Sequence, residues 1–468
     1  MTVADARGIE NSKPLFRWWQ VLLYGVAFLG VFRLVQVQLR SVCTNWIPFD
    51  CPYYWPVSIF QVRFPTLGEC LWSIGVMGLF AATFWLLERS GYDIRLICIA
   101  AVLLICGSTL IQGVAEGFYA PVASYAQKSI FIPYSLEGQE YFHDAIHITS
   151  AADFFSRYNE IQPTLHNHGH THPPGAILLY YFLWKLLGDP ALIAIAVLLM
   201  ATVPTVVFFY KLCREGMSEE TARYMTFLVA LLPAVQIYYL STLDAVITAL
   251  LTGVLFWFCF GRRGWQVAGA AVLLTVSFLL TFVSLFIFPV LAGYELIAKR
   301  SIKRSAIVIG SVLAVHALFY VVTGYDAWHA FREASHYENP NGFRLFVDTA
   351  NYFFTRLEDV GEIVLFFGPF LCVLLVRAIR RRERIALGED SLRLLTLLGT
   401  ATLLAMFAVG AWRTGETARA CAFIYMYLLF PIGKYLHERG TSRTERLALA
   451  ALVFGQSTAM QLVGNFHW

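Results

Sequence analysis

The chain reads as long apolar stretches parted by short polar ones. A helix crossing a bilayer core needs roughly 20 apolar residues, with about 17–25 tolerated. On that criterion the sequence predicts spans at 18–39, 67–87, 96–112, 190–210, 223–240, 244–260, 266–281, 283–297, 305–322, 361–378, 391–409, 420–437 and 446–463, with a shorter apolar segment at 176–188. The linkers Glu88–Arg95, Lys211–Arg223, Gly261–Trp265, Lys299–Arg304, Arg377–Arg384 and His437–Arg446 hold most of the Lys and Arg. Basic linkers stay cytoplasmic, so 40–66, 113–172, 323–360 and 410–419 are expected outside. That alternation closes only if 173–210 crosses an odd number of times, which makes 176–188 a re-entrant or tilted half-helix. The expected fold is an all-α polytopic membrane protein of about 13 transmembrane helices, with amphipathic surface helices in a large external loop. Residues 1–468 read as a single membrane domain, with no linker or low-complexity tract that would mark a soluble accessory domain.

Composition agrees. The chain is 58% hydrophobic and 14% charged, against roughly 45–50% and about 25% in soluble domains. The net charge of +4 sits in the linkers, where it sets orientation and gives no footprint for nucleic acid. Met1–Arg17 is polar and no small-residue cleavage site follows, so the first span reads as a signal anchor. Of nine cysteines, seven lie in or beside apolar spans and read as small buried hydrophobes. Cys43 and Cys51 share an outer linker. They form a disulfide if that compartment is oxidising and their geometry allows it, and stay free thiols otherwise.

The chemistry gathers in the loop 113–172. Glu140 and Asp144 are four apart and share one helix face, within an amphipathic pattern made by Tyr141, Phe142, Ala145, Ile146 and Ile148. A second surface helix is expected over Ala152–Asn159, with Phe154, Phe155 and Tyr158 as its apolar face. The two carboxylates are either a solvated face or a catalytic pair. His166, His168, His170 and His172 alternate, so an extended strand would turn all four imidazoles one way. Such a set suits Zn²⁺, and a divalent metal (Mg, Mn or Zn) is one expectation. The other is a plain polar loop, since Gly169 and Pro173 interrupt a strand. Pro173-Pro174-Gly175 starts a helix, and a helix N-terminus beside His172 favours an anion such as a phosphate.

Three further tracts lie on the same expected side. Asp244 opens a span, either as an N-cap or as a site residue. Arg413, Glu416 and Arg419 fall in one turn between spans, where two guanidinium groups either grip a phosphate or snorkel to the interface. His336 stands in 323–360 among His329, Arg332, Tyr337, Glu338 and Arg344. Within the spans the clear charges are Arg33 and Lys185. That scarcity, with no internal repeat, weighs against a transporter or flippase of a lipid-linked substrate. The lack of an H-E-x-x-H helix weighs against a metal-dependent membrane hydrolase.

With these residues in view, the layout resembles the GT-C superfamily of membrane glycosyltransferases, which includes protein O-mannosyltransferases and aminoarabinose transferases. The resemblance rests on Glu140-Tyr141…Asp144 in the first large external loop, Thr171-His172-Pro173-Pro174-Gly175 opening the next helix, and Leu243-Asp244-Ala-Val. Gly415-Glu416-Thr-Ala-Arg419…Pro431 is similar to a late motif of bacterial members. Two features depart from the family: spans 67–87 and 96–112 also precede the loop, where one span is usual, and the acids are not an adjacent Asp-Glu pair. The resemblance implies transfer of a sugar from a polyprenyl-phosphate donor at the extracytoplasmic face of a bacterial plasma membrane. It implies Asp144, or else Glu140, as general base. Arg413, Arg419 and the helix start after His172 would face the leaving phosphate, with Tyr141, His166, His170, His172, Asp244, His336 and Glu416 as further substrate contacts. The sugar, and whether the acceptor is a glycan, a lipid or a protein, are not implied.

Overall fold

The computed structural model describes residues 14–46, 61–119, 123–126, 135–138, 140–166, 168–381, 390–410 and 416–465. Cys51 and Arg413 lie outside these residues, as do the side chains of Cys43 and Glu140. Helices dominate. The chain begins with α1 (Trp18–Trp46), α2 (Leu67–Arg89) and α3 (Ile94–Thr109), then four short helices, α4 (Glu140–Ala145), α5 (Ala151–Ser156), α6 (Tyr158–Ile161) and α7 (His168–Thr171). Next come α8 (Pro174–Leu187), α9 (Pro190–Arg214), α10 (Glu219–Ala230), α11 (Pro233–Tyr238), α12 (Leu243–Phe260), α13 (Gly264–Leu280), α14 (Ile287–Lys299) and α15 (Lys303–Thr323). The last third holds α16 (Ala327–Glu338), α17 (Arg344–Val347), α18 (Thr349–Phe367), α19 (Pro369–Arg380), α20 (Ser391–Ala408), α21 (Thr417–Ala420), α22 (Ile424–Arg439) and α23 (Arg443–Val463). The short strands β1 (Gln61–Val62), β2 (Ala123–Ala126), β3 (Ser135–Gly138) and β4 (Gly464–Asn465) pair antiparallel as β1·β4 and β2·β3.

The fold class is the one expected. Among the described residues nine helices are long and apolar enough to cross a membrane, or ten if α18 and α19, bent 99° to each other, make one broken span. Those nine fall on nine of the expected spans. The other four expected spans, 223–240, 266–281, 361–378 and 420–437, correspond to shorter, broken or bent helices. The break in 223–240 has a local cause: Pro233 has no N–H to continue the ladder of α10. The carbonyls it frees are answered from within the protein, as membrane depth requires. Gln236 Nε2 donates to Ala230 O at 2.6 Å and Ser457 Oγ to Leu231 O at 2.7 Å. The 14-residue helix α8 is ~21 Å long, short of the roughly 30 Å hydrocarbon core. It stops at Gly188, whose φ of +64° suits the left-handed C-cap.

The basic linkers converge at one end of the bundle. Arg446 reaches Glu88 and Glu220, each at 2.9 Å, tying α23 to α2 and α10. Glu295 accepts the N–H groups of Arg304 and Ser305, at 3.0 and 2.7 Å, closing the turn from α14 to α15. Midway along the bundle α9, α12 and α13 approach closely at Gly253, where a Cβ would stand 2.7 Å from Leu273 and 2.9 Å from Phe208. A small residue at such a crossing lets packing replace the hydrophobic drive that lipid cannot supply.

One expectation is corrected. The spans are not nearly free of charge, because α18 starts well before 361 and carries Glu358, Asp359 and Glu362, all fully buried. Glu358 and Asp359 looked like loop residues because their acidity ended the apolar window early, and Glu362 fell just inside the expected span, where it was passed over.

Candidate active site

At the end of the bundle away from the Arg446 cluster lies a cavity of about 280 Å³. Its walls come from the loop helices, α12, the turn after α13, and α21. Arg419 is its hub. The guanidinium Nε lies 3.2 Å from Asp244 Oδ2 and Nη2 lies 3.1 Å from Glu416 Oε2. Glu416 Oε1 in turn lies 3.4 Å from His168 Nε2. Tyr141, Thr171, His172 and Glu338 complete the polar lining, and Phe282 and Val283 give an apolar wall.

Local folding explains how these groups meet. Asp244 is not the N-cap of α12, which is Thr242; it is the second residue of the helix and points its carboxylate at Arg419. The preceding Ser241 has a φ of +66°, a backbone strain for a non-glycine residue. Its carbonyl takes a 2.6 Å bond from Tyr180 Oη. Tyr180 stacks on Tyr141 at 5.9 Å, and Tyr141 meets the edge of His172 at 5.1 Å. α4, α8 and α12 are thereby locked around one aromatic column. On the outer side Tyr158 Oη donates to the carbonyls of Gly169 and His172. Gln162 Nε2 bridges the carbonyls of His170 and Ala330 at 2.9 and 3.0 Å.

The four histidines do not act together. Residues 168–171 form a helical turn instead of a strand, so the imidazoles fan out. His166 lies tilted against His143 at 4.5 Å; His168 faces Glu416; His170 lies against Tyr337 at 4.1 Å with Glu333 at 3.5 Å; His172 stays beside Tyr141. Among the described residues no group of three or more His, Cys, Asp or Glu side chains is placed to hold a metal ion. The residues thus do not fit a Mg, Mn or Zn ion on His166, His168, His170 and His172.

The other expected site residues divide between cavities. Tyr141, His172, Asp244, Glu416 and Arg419 share the one described. Asp144 opens on a neighbouring cavity of about 390 Å³, where its two oxygens accept the His166 N–H at 3.2 and 3.1 Å. A Cβ at Gly169 would stand 2.4 Å from Asp144 Oδ2, so glycine is what lets α7 pass over this carboxylate. Glu140 begins α4, next to Tyr141. His336 is exposed and lines a third cavity with Arg332 and Phe343.

Electrostatics separates the titratable groups. Burial alone would raise the Glu416 carboxyl, but His168 and Arg419 hold it down to about 2. Burial, and then the charge of His168, push the His172 imidazole down to about 3. The Asp144 carboxyl is raised by burial, against the pull of the His166 N–H and of His143.

Sequence reasoning missed what stands behind Arg419. Thr417 donates its hydroxyl to Asp359, and the Ala418 N–H donates to Glu362 Oε2 at 3.1 Å. Arg356, paired to Asp359 at 2.9 Å, also donates to Phe407 O at 2.8 Å, and Tyr352 Oη donates to Ala408 O at 2.6 Å. α18 thus clamps both the end of α20 and the start of α21. The signal available was the i, i+3, i+4 spacing of Asp359, Glu362 and Ile363 on one helical face, obscured because the expected loop-to-span boundary at 361 cut across it.

No family model matches the chain, and no curated protein matches it. Among solved structures, the oligosaccharyltransferase of Archaeoglobus fulgidus, in complex with Zn and sulfate, is similar at 16% identity with a TM-score of 0.40. The match covers 67% of this chain and 49% of that one, so the chain spans about half the archaeal enzyme's length. ArnT from Cupriavidus metallidurans, in the apo state, is similar at 16% identity with a TM-score of 0.36, covering 67% of this chain and 72% of that one.

Proposed function

We propose that the chain is a GT-C-type membrane glycosyltransferase that moves a sugar from a polyprenyl-phosphate donor to an acceptor at the extracytoplasmic surface. The observation that carries this reading is the chain Asp244–Arg419–Glu416–His168 on the wall of one cavity. An inverting displacement needs a base beside the attacking hydroxyl and positive or dipolar groups at the departing phosphate. Arg419 is the cation for the phosphate, held by carboxylates on two sides. Glu416, kept near 2, is too weak a base for neutral pH and serves to orient Arg419 and His168. Asp244 is the base. Neutral His172 and Tyr141 border the sugar, and Phe282 and Val283 meet the first isoprene units.

Asp144 is the competing base, with Glu140 beside it. Supporting it is a buried carboxyl raised above its usual range, the direction a general base requires. In that reading the acceptor enters by the cavity that Asp144 lines.

The purified protein, incubated with a panel of labelled polyprenyl-phosphate sugars, is expected to release sugar from at least one in the presence of its acceptor or, slowly, of water. Inert behaviour across the panel, with the protein intact, would count against the lipid-phosphate donor.

A further inference from the structure

At the far end of the bundle another cavity, of about 270 Å³, lies between α19, α20 and α22. α20 has 18 residues and is ~27 Å long, so the rim of this cavity and the Arg419 site are separated by about one hydrocarbon thickness. The rim of the cavity carries Arg381, Arg393 and Lys434, with Asp390 and Glu438 as the acids. Lys434 pairs with Asp390, which also caps α20 by accepting the Arg393 N–H at 3.1 Å. The Arg381 guanidinium stands 5.7 Å over the Tyr435 ring, which fixes it at the edge. Farther in, the wall is Leu397, Leu428, Pro431 and Thr400; from Ser391 to Thr400 it descends ~14 Å along the helix. Ile379 and Leu397, also on the wall, are 45% and 36% exposed, so the groove opens sideways, toward lipid.

Cationic at water level and apolar for the next several residues is the polarity gradient of a single phospholipid. We infer that this groove binds one anionic phospholipid, its phosphate against Arg381 and Arg393 and an acyl chain along Leu397 and Leu428. Basic pockets between helix ends are the physical form such sites take. A small soluble anion would use the rim and leave the apolar wall unfilled. A zwitterionic lipid would bring an ammonium group to a rim whose three cations outnumber its two acids, one of them already paired with Lys434. The inference stands apart from the proposed transfer reaction.

Native mass spectrometry of the detergent-purified protein, with palmitoyl-oleoyl phosphatidylglycerol or the matching phosphatidylcholine, tests it. Retained phosphatidylglycerol is expected to exceed phosphatidylcholine roughly 10-fold. Arg381→Ala with Arg393→Ala is expected to bring the two lipids level, and Leu397→Trp to weaken both with the rim intact. If the double variant does not fold, Arg381→Gln alone, at an exposed position, carries the comparison. Equal retention of both lipids by the unaltered protein, an unchanged preference in the rim variant, or complete displacement by inorganic phosphate would each overturn the assignment.

Discussion

Arg419 Nε and Asp244 Oδ2 lie 3.2 Å apart, joining the first turn of α12 to the short helix α21 from the far end of the sequence. Both side chains are mostly buried, so neither is a solvated surface charge. Removing Arg419 would leave the buried Asp244 carboxylate uncompensated, which for a buried pair costs about 3–5 kcal/mol, whereas Arg419 without Asp244 keeps Glu416 at 3.1 Å. Conservative substitutions are therefore the informative ones.

Arg419→Lys keeps the charge and loses the fork that reaches Asp244 and Glu416 together. A single ammonium group cannot reproduce that geometry. The variant is expected to remain folded and to show a donor KM raised roughly 10-fold or more. Steady-state kinetics on the released sugar checks this; donor use equal to the parent's would mean Arg419 only anchors the helix.

The α18 clamp is expected to appear as a stability effect with a chemical rescue. Thr417→Val removes the hydroxyl that Asp359 accepts and leaves a buried carboxylate one bond short, a loss of about 1–3 kcal/mol. Thr417→Ser should restore most of it. Thermal melting in one detergent compares the three proteins, and a valine variant as stable as the parent would deny the clamp its role.

Gly169→Ala places a Cβ where only 2.4 Å separates it from Asp144 Oδ2. Overpacking of this kind costs about 1–3 kcal/mol. Because the shortest approach is to Asp144, with Ile177 and Leu165 at 3.2 and 3.3 Å, Asp144→Ala should relieve most of it. A double-mutant cycle by melting is expected to give a coupling of about 1 kcal/mol or more; strict additivity would place the obstruction elsewhere.

His172 sets a pH dependence with a definite sign. Its imidazole is held down to about 3 in the folded protein, against 6.5 ordinarily. The unfolded chain therefore binds the proton more readily, and stability falls as pH drops from about 6.5 toward 3. His172→Gln removes that contribution, so its melting temperature should fall less steeply across this window. Parallel profiles would mean that His172 titrates normally.

Much of the architecture was legible because apolar runs and capping residues act locally. Thr66 with Glu69 and Ser442 with Glu445 form capping boxes where α2 and α23 begin. The site was legible residue by residue but not as an arrangement. The alternation of His166 to His172 suggested a strand, yet the next turn of backbone is helical, and tertiary bonds from Tyr158 and Gln162 fix that turn. Nothing in a linear pattern says that Asp244 and Arg419 meet while Asp144 turns to another cavity. The acids of α18 were hidden for a physical reason: charge inside a helix reads as the end of a span, unless a partner such as Arg356 or Thr417 is known to be waiting.

In the proposed reaction, transfer takes place in the cavity of Asp244 and Arg419. This placement is tested most directly by the initial rate of sugar release from a labelled polyprenyl-phosphate sugar, compared for the parent protein, Asp244→Asn and Asp144→Asn. Loss of a positioned general base lowers the rate by roughly 10²–10⁴. That fall is expected for Asp244→Asn, with a much smaller one for Asp144→Asn. Near-parental release by Asp244→Asn, with Asp144→Asn inactive and folded, would contradict the account and move the base to the neighbouring cavity.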